Sequence, residues 1–142
     1  MTAAIDLLLA TARSGLDRLS PARADQAARG GGLIVDIRSE WQRERDGCVP
    51  GARFVPRNVL EWRADPGCPH RDPVLVAVRG PLILMCAEGY QSSLAAATLV
   101  ELGIAGATDM AGGYERWAAE GFPTSGAPRP VRRRDPVAVR TI

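Results

Sequence analysis

One cysteine in this chain stands where covalent chemistry could occur. Leu82-Ile83-Leu84-Met85 is a compact apolar run, Cys86 ends it, and Ala87-Glu88-Gly89-Tyr90-Gln91 leads into Ser92-Ser93 and a segment apolar almost all round to Leu102. The pattern reads as a buried strand, a short loop and a buried helix over Ser92–Leu102. In an open parallel sheet, ligands bind outside the carboxyl ends of the strands, and Cys86 stands at such an end. The first turn of the following helix offers N–H groups without intrahelical partners, together with the positive end of the helix dipole. An anion is favoured there. It could be the Cys86 thiolate, or a substrate sulfur or oxyanion held in the curl of the loop from Ala87 to Ser92. Gly89 relieves the backbone where that loop turns tightly. The chemistry on offer is nucleophilic attack by sulfur. A plainer alternative stays open: a free cysteine closing a strand is often simply a small, inert core residue.

Elements able to position Cys86 flank it on both sides. Residues 3–13 have Ile5, Leu8, Leu9 and Ala12 on one helical face. Ser20-Pro21 starts a second helix, with serine as cap and proline at the first helical position, and the glycines at 30–32 stop it. Leu33–Asp36 reads as a strand buried on both faces. Ser39–Arg45 is a short helix, Arg53–Val55 a short strand ended by Pro56, and Val59–Trp62 one helical turn. Val74–Val78 fits a helix or a strand equally. Ala107–Met110 is a strand, and Gly113–Glu120 a helix closed by Gly121. Buried strands alternating with helices give an α/β domain, a parallel sheet with helices on both faces.

Four segments resemble the rhodanese superfamily over residues 18–124. Leu33-Ile34-Val35-Asp36-Ile37-Arg38 is similar to its apolar strand ending in Asp-x-Arg. Gly47-Cys48-Val49-Pro50-Gly51-Ala52 is similar to its Gly-His-Ile-Pro-Gly-Ala turn. Cys86–Ser92 is similar to its active-site loop, and Met110–Trp117 to its Gly-Gly-x-x-x-Trp helix start. The resemblance implies a rhodanese-like fold with a five-stranded parallel sheet. It also implies a sulfurtransferase whose Cys86 takes a sulfane sulfur as a persulfide and passes it on. The implied donor is a small sulfur-containing anion such as thiosulfate, or a protein persulfide. The implied acceptor is a thiol, cyanide or a protein. No metal or organic cofactor is called for. The other class of function is a non-catalytic rhodanese-like module that binds a partner or senses an anion. A phosphatase or arsenate reductase would need Cys-x5-Arg, and no arginine follows Cys86 at that spacing.

Two positions depart from the family pattern. Gln91 is a neutral amide where relatives often carry arginine, and Cys48 replaces the turn histidine. The Cys48 turn precedes a strand, so it belongs at the opposite end of the sheet from Cys86 and reads as structural. With Glu88 in the same loop, Gln91 should weaken the grip on an anion. Compensation can come from other strand ends: Arg38 follows the strand ending at Asp36, and Arg57 the strand ending near Pro56. Arg57 is favoured, because Asp36 stands ready to pair with Arg38. Substrate contacts are therefore expected from Ala87, Glu88, Gly89, Tyr90, Gln91, Ser92, Arg57 and Arg38. Tyr114 and Trp117 read as packing residues, His70 as exposed.

Composition narrows the classes. The 142 residues are 46% hydrophobic and 24% charged, which suits one globular domain. All 18 basic residues are arginine, yet net charge is only +2. Five of these arginines fall in residues 126–142, so the body is nearly neutral and no nucleic-acid surface is expected. That Arg- and Pro-rich end has no apolar period and is expected to be a disordered tail over residues 125–142. Residues 1–17 are expected to be a helical extension. No apolar run is long enough to cross a bilayer, and no basic start precedes the first one, so no membrane partner is expected and the cytoplasm is the expected location. Three cysteines without a paired spacing argue against a disulfide framework. Cys48, Cys68 and His70 lack a fourth ligand for zinc.

Overall fold

The chain is described here, from a computed structural model, over residues 1–126. The expected tail therefore lies outside the described residues from position 127 on. Seven helices and four strands alternate among the described residues. In chain order they are α1 (Ala4–Ser14), α2 (Pro21–Arg29), β1 (Leu33–Asp36), α3 (Glu40–Asp46), β2 (Arg53–Phe54), a 3-10 turn (Arg57–Val59), α4 (Leu60–Ala64) and α5 (Pro73–Ala77), followed by β3 (Leu82–Met85), α6 (Gln91–Glu101), β4 (Ala107–Asp109) and α7 (Gly113–Ala119). The strands are all parallel, in the order β2-β1-β3-β4. The resemblance implied five. The fifth position is occupied by Leu19 alone, in a parallel bridge to Met110 on the outer side of β4. Leu19 N–H donates to Asp109 O and its carbonyl accepts from Ala111 N–H. Ser20 directly after it caps α2, so the strand does not lengthen on that side.

Side chains of the two central strands leave the sheet alternately into packed layers, which is why both are apolar on both faces except at Asp36, the last residue of β1. Val35, Leu82 and Leu84 pack with Leu60, Leu75, Ala95 and Leu99 from α4, α5 and α6. Ile34, Ile83 and Met85 pack on the other face with Ala24, Tyr114 and Trp117 from α2 and α7. Each fully buried aliphatic side chain here contributes about 1.5–3 kcal/mol. Trp117 anchors α7 by donating from Nε1 to the Pro123 carbonyl at 2.8 Å. Tyr114 donates its hydroxyl proton to Asp46 O.

Caps follow the sequence signals. Ser20 accepts from Arg23 N–H, with Pro21 at the first helical position. Ser39 and Gln42 form a reciprocal capping box at the start of α3. The ambiguous Val74–Val78 segment is helical because Asp72 accepts from Val74 N–H and Pro73 starts the turn. The expected first helix is present as α1; of its apolar face Leu9 is buried, while Ile5 and Leu8 are more than half exposed. The helix lies outside the sheet, against α6, and presents only one edge to the body.

Candidate active site

β3 ends at Met85, and register with β1 and β4 brings the ends of three strands to one rim. Asp36 pairs with Met85, and Asp109 with Leu84. Cys86 is the next residue on that rim, and it is buried. Its Sγ accepts hydrogen bonds from Gly89 N–H at 3.1 Å and Ser92 N–H at 3.4 Å. The thiol proton is directed to Ser92 Oγ, 3.4 Å away. The Ser92 hydroxyl in turn donates to Asp109 Oδ2 at 2.8 Å.

The loop closes this tightly because Gly89 has φ +89°, a conformation that side chains other than glycine's rarely adopt. A Cβ there would lie 2.8 Å from Gly112 N. The loop backbone is also gripped from the α7 side. Tyr114 N–H donates to Cys86 O at 2.9 Å, and Glu115 N–H to Ala87 O at 3.0 Å. That approach requires a glycine at 113, where a Cβ would sit 2.5 Å from Cys86 O. The Gly-Gly-x-x-x-Trp pattern thus serves the cysteine loop: its glycines let α7 dock on the loop, and its tryptophan holds α7 to the sheet.

A depression of about 440 Å³ opens in front of Cys86, lined by Ile37, Arg38, Gln42, Arg57, Ala87, Glu88, Tyr90 and Gln91. Of the residues expected from sequence, it brings together Cys86, Ala87, Glu88, Tyr90, Gln91, Arg38 and Arg57. Gly89 and Ser92 take part through their N–H groups on the sulfur. Arg38 is buried, makes a two-point ion pair with Asp36 at 3.0 and 2.8 Å, and also donates to Gly47 O. It lies over the Tyr114 ring at 4.0 Å. Asp36 also takes Arg43, at 3.2 Å, so two guanidiniums share one carboxylate and this corner keeps a positive charge. Arg57 pairs with Glu61 at 2.7 Å. Among the described residues, two buried side-chain nitrogens have no hydrogen-bond partner: Arg38 Nη1 and Arg57 Nε. Both belong to arginines lining this depression. Buried donors without partners are rare.

The Cys48 turn lies elsewhere. Val49–Ala52 line a separate depression with Gly32 and Leu33, at the entry end of β1. Cys48 itself forms an antiparallel bridge with Ser125. Glu88 and His70 are exposed.

Comparison with known proteins agrees with this geometry. Residues 20–120 match the model of the rhodanese-like domain. The chain belongs to the rhodanese-like family. A relative named thiosulfate sulfurtransferase GlpE, from Ectopseudomonas mendocina, is 32% identical over 114 residues, covering 80% of this chain and 94% of its own. A solved structure from Rhodopseudomonas palustris, described as a protein of unknown function and possible tyrosine phosphatase, superposes with a TM-score of 0.80 at 31% identity, covering 88% of this chain and 96% of that one. The human single-domain sulfurtransferase TSTD1 superposes with a TM-score of 0.59 at 25% identity, covering 72% of this chain and 96% of its own. No helix of this rhodanese-like chain, among the described residues, is long and apolar enough to cross a membrane.

Sequence reasoning did not find Asp109, Arg13 or Arg18 around the cysteine loop. Asp109 was legible in principle, since it ends the strand beside β3. The arginines touch the loop at sequence separations of 71 to 80 residues, and no local pattern announces such contacts.

Proposed function

We propose that this protein is a rhodanese-type sulfurtransferase that carries sulfane sulfur on Cys86. The Cys86 thiolate attacks the outer sulfur of thiosulfate or of a protein persulfide. A new S–S bond forms, the donor S–S bond breaks, and sulfite or the donor thiolate leaves with the electron pair. In the second half, cyanide, a thiol or a protein thiolate attacks the outer sulfur of the Cys86 persulfide. The S–S bond breaks and the Cys86 thiolate is restored. No electron carrier or metal enters this balance. The outer sulfur sits over the loop, where N–H groups face it and the helix α6 N-terminus favours its negative charge.

One observation carries this reading. The sulfur held by two backbone N–H donors faces a depression where two arginines keep buried nitrogens without partners. Arg57 and Arg38 are the anion contacts in this scheme, with Gln91 and Tyr90 on the rim. The names of the relatives support the same activity. The tyrosine phosphatase suggested for the Rhodopseudomonas relative is not favoured here. Six positions after the cysteine stands Ser92, bonded to the Asp109 carboxylate, where a phosphate dianion would need a cation.

Intact-mass measurement tests the proposal. After exposure to thiosulfate and removal of excess donor, the protein should gain the mass of one sulfur atom, mapped to Cys86. The gain should vanish on adding cyanide and be absent in Cys86→Ser. A chain that stays unmodified with thiosulfate and with protein persulfide donors alike would be a non-catalytic rhodanese-like module instead.

A further inference from the structure

Residues Cys86 to Ser93 contain no cation and one carboxylate, Glu88. Two guanidiniums nevertheless reach this loop from behind, both from the N-terminal arm. Arg13, in the last turn of α1, donates from Nη2 to Gly89 O at 2.8 Å and from Nε to Ser93 Oγ at 3.0 Å. Arg18, just before Leu19, donates from Nη2 to the same carbonyl at 2.9 Å and from Nε to Asp109 Oδ1 at 2.9 Å. Both residues precede the segment matched by the family model, which begins at residue 20.

The geometry follows from the peptide bond. The Gly89–Tyr90 peptide is trans, so its carbonyl and its N–H point in opposite directions. Two cations hold the carbonyl on the outer side, and the Tyr90 N–H is turned away from them. The same grip fixes Gly89, whose own N–H lies on the Cys86 sulfur. Arg13 also stands over the Tyr90 ring, 5.5 Å from its centre.

The charges around the loop divide unequally. Asp109 is fully buried and neutralises Arg18. It also accepts from Ser92 and Ser93, at 2.8 Å each. In front, Arg38 and Arg43 share Asp36 and leave one positive charge in that corner, Arg57 has Glu61, and Glu88 stands in the loop itself. Arg13 touches only neutral groups among the described residues: a carbonyl, a hydroxyl and an aromatic ring. Helix α1 buries a single side chain, Leu9, so it adds little to the core. What it delivers to the body is Arg13.

We propose that Arg13 and Arg18 are positioning residues for the Cys86 site: the N-terminal arm supplies, from behind, the positive charge the loop lacks, and locks the Gly89 peptide so that its flanking N–H groups serve the sulfur. This rests on Cys86 being the sulfur carrier. Arg18 also neutralises a buried carboxylate, so its removal perturbs the fold. Arg13 is the cleaner probe.

The test uses the full chain as Arg13→Ala, Arg13→Gln and Arg13→Lys. Alkylation of Cys86 by iodoacetamide at neutral pH is followed by peptide mass spectrometry, alongside thermal melting and thiosulfate:cyanide kinetics. Removal of one unit charge close behind the loop should slow Cys86 alkylation about 3- to 10-fold in Arg13→Ala and Arg13→Gln, with KM for thiosulfate raised by a similar factor. Melting should stay near wild type, and Arg13→Lys should recover most of the rate. Wild-type alkylation in Arg13→Gln would overturn the inference. So would a lysine variant no better than alanine when all melt alike. If Arg13→Ala alone melts early, the Gln and Lys pair still decides. The alkylation series needs no sulfur donor, so it is read even if thiosulfate leaves Cys86 unmodified, which would refute the proposed activity and not the arm's effect on the thiol.

Discussion

Removing Arg57 should raise KM for thiosulfate about fivefold while leaving kcat within about twofold. The size follows from the geometry. A hydrogen bond from a charged donor to an anion contributes about 1.5–3 kcal/mol. Two features reduce it here. Glu61 holds Nη1 at 2.7 Å and offsets part of the charge, and the Arg57 side chain is 27% exposed, so solvent screens the remainder. About 1 kcal/mol is left, which is about fivefold in affinity. Glu61 gives the reasoning a second arm. Glu61→Gln keeps the chain length, removes the competing charge, and should lower KM about two- to fivefold. Steady-state thiosulfate:cyanide kinetics on Arg57→Ala and Glu61→Gln measure both. Arg38 would be a poor substitute for this test, because removing it also takes the two-point partner from the buried Asp36, leaving Arg43 alone on that carboxylate, and the donor from Gly47 O. An unchanged KM in folded Arg57→Ala, or a raised KM in folded Glu61→Gln, would refute the assignment of the partnerless Arg57 Nε to the anion.

Three further outcomes are expected. Gly89→Ala should lower stability by about 2–4 kcal/mol, from left-handed strain and backbone overlap together. Its Cβ would meet Gly112 N at 2.8 Å and Met110 O at 3.2 Å, so urea unfolding should show the loss and mass spectrometry should show no sulfur on Cys86. Gln91→Arg should lower KM for thiosulfate, since position 91 lines the depression and a charged donor binds an anion more strongly than an amide does; an unchanged KM in the folded variant counts against this. Burial pushes the Asp72 carboxyl up, but Arg53 and the Val74 N–H outweigh it and hold it below the ordinary carboxylate value. A depressed folded value stabilises above the unfolded one and is lost as pH falls through it, so melting temperature should drop below about pH 4 and Asp72→Asn should flatten that limb. An identical acid limb in the variant would refute this.

What the sequence made legible was local. The strand, the cysteine and the following helix are consecutive, so periodicity and the helix N-terminus sufficed to bring Cys86, Gly89 and Ser92 together. Ser20, Ser39 and the Asp36–Arg38 pair act within a few residues and were equally readable. Val74–Val78 stayed ambiguous because a five-residue apolar run suits either period; the Asp72 cap and Pro73 that decide for a helix lie just before it. The α1 helix was readable, but its burial was not, because a helical period says which residues share a face and not whether a neighbour covers it. Leu19 could not be read as a strand, since a single bridged residue leaves no pattern. Asp109 and the two arm arginines were hidden for a different reason: their meaning is the contact itself, made between segments far apart in the chain.

The docking of α7 on the cysteine loop bears on when the site comes into being. The carbonyls of Cys86 and Ala87 take their hydrogen bonds from residues 114 and 115, while Gly89 is clasped by residues 13 and 18. On a ribosome, the arm emerges first, the loop much later, and the clasp from α7 last. A growing chain that has exposed Cys86 thus still lacks part of the scaffold that shapes it. The loop around Cys86 has all its hydrogen bonds only when both ends of the domain have met around it, so a truncated or unfinished product holds the cysteine in an incomplete frame.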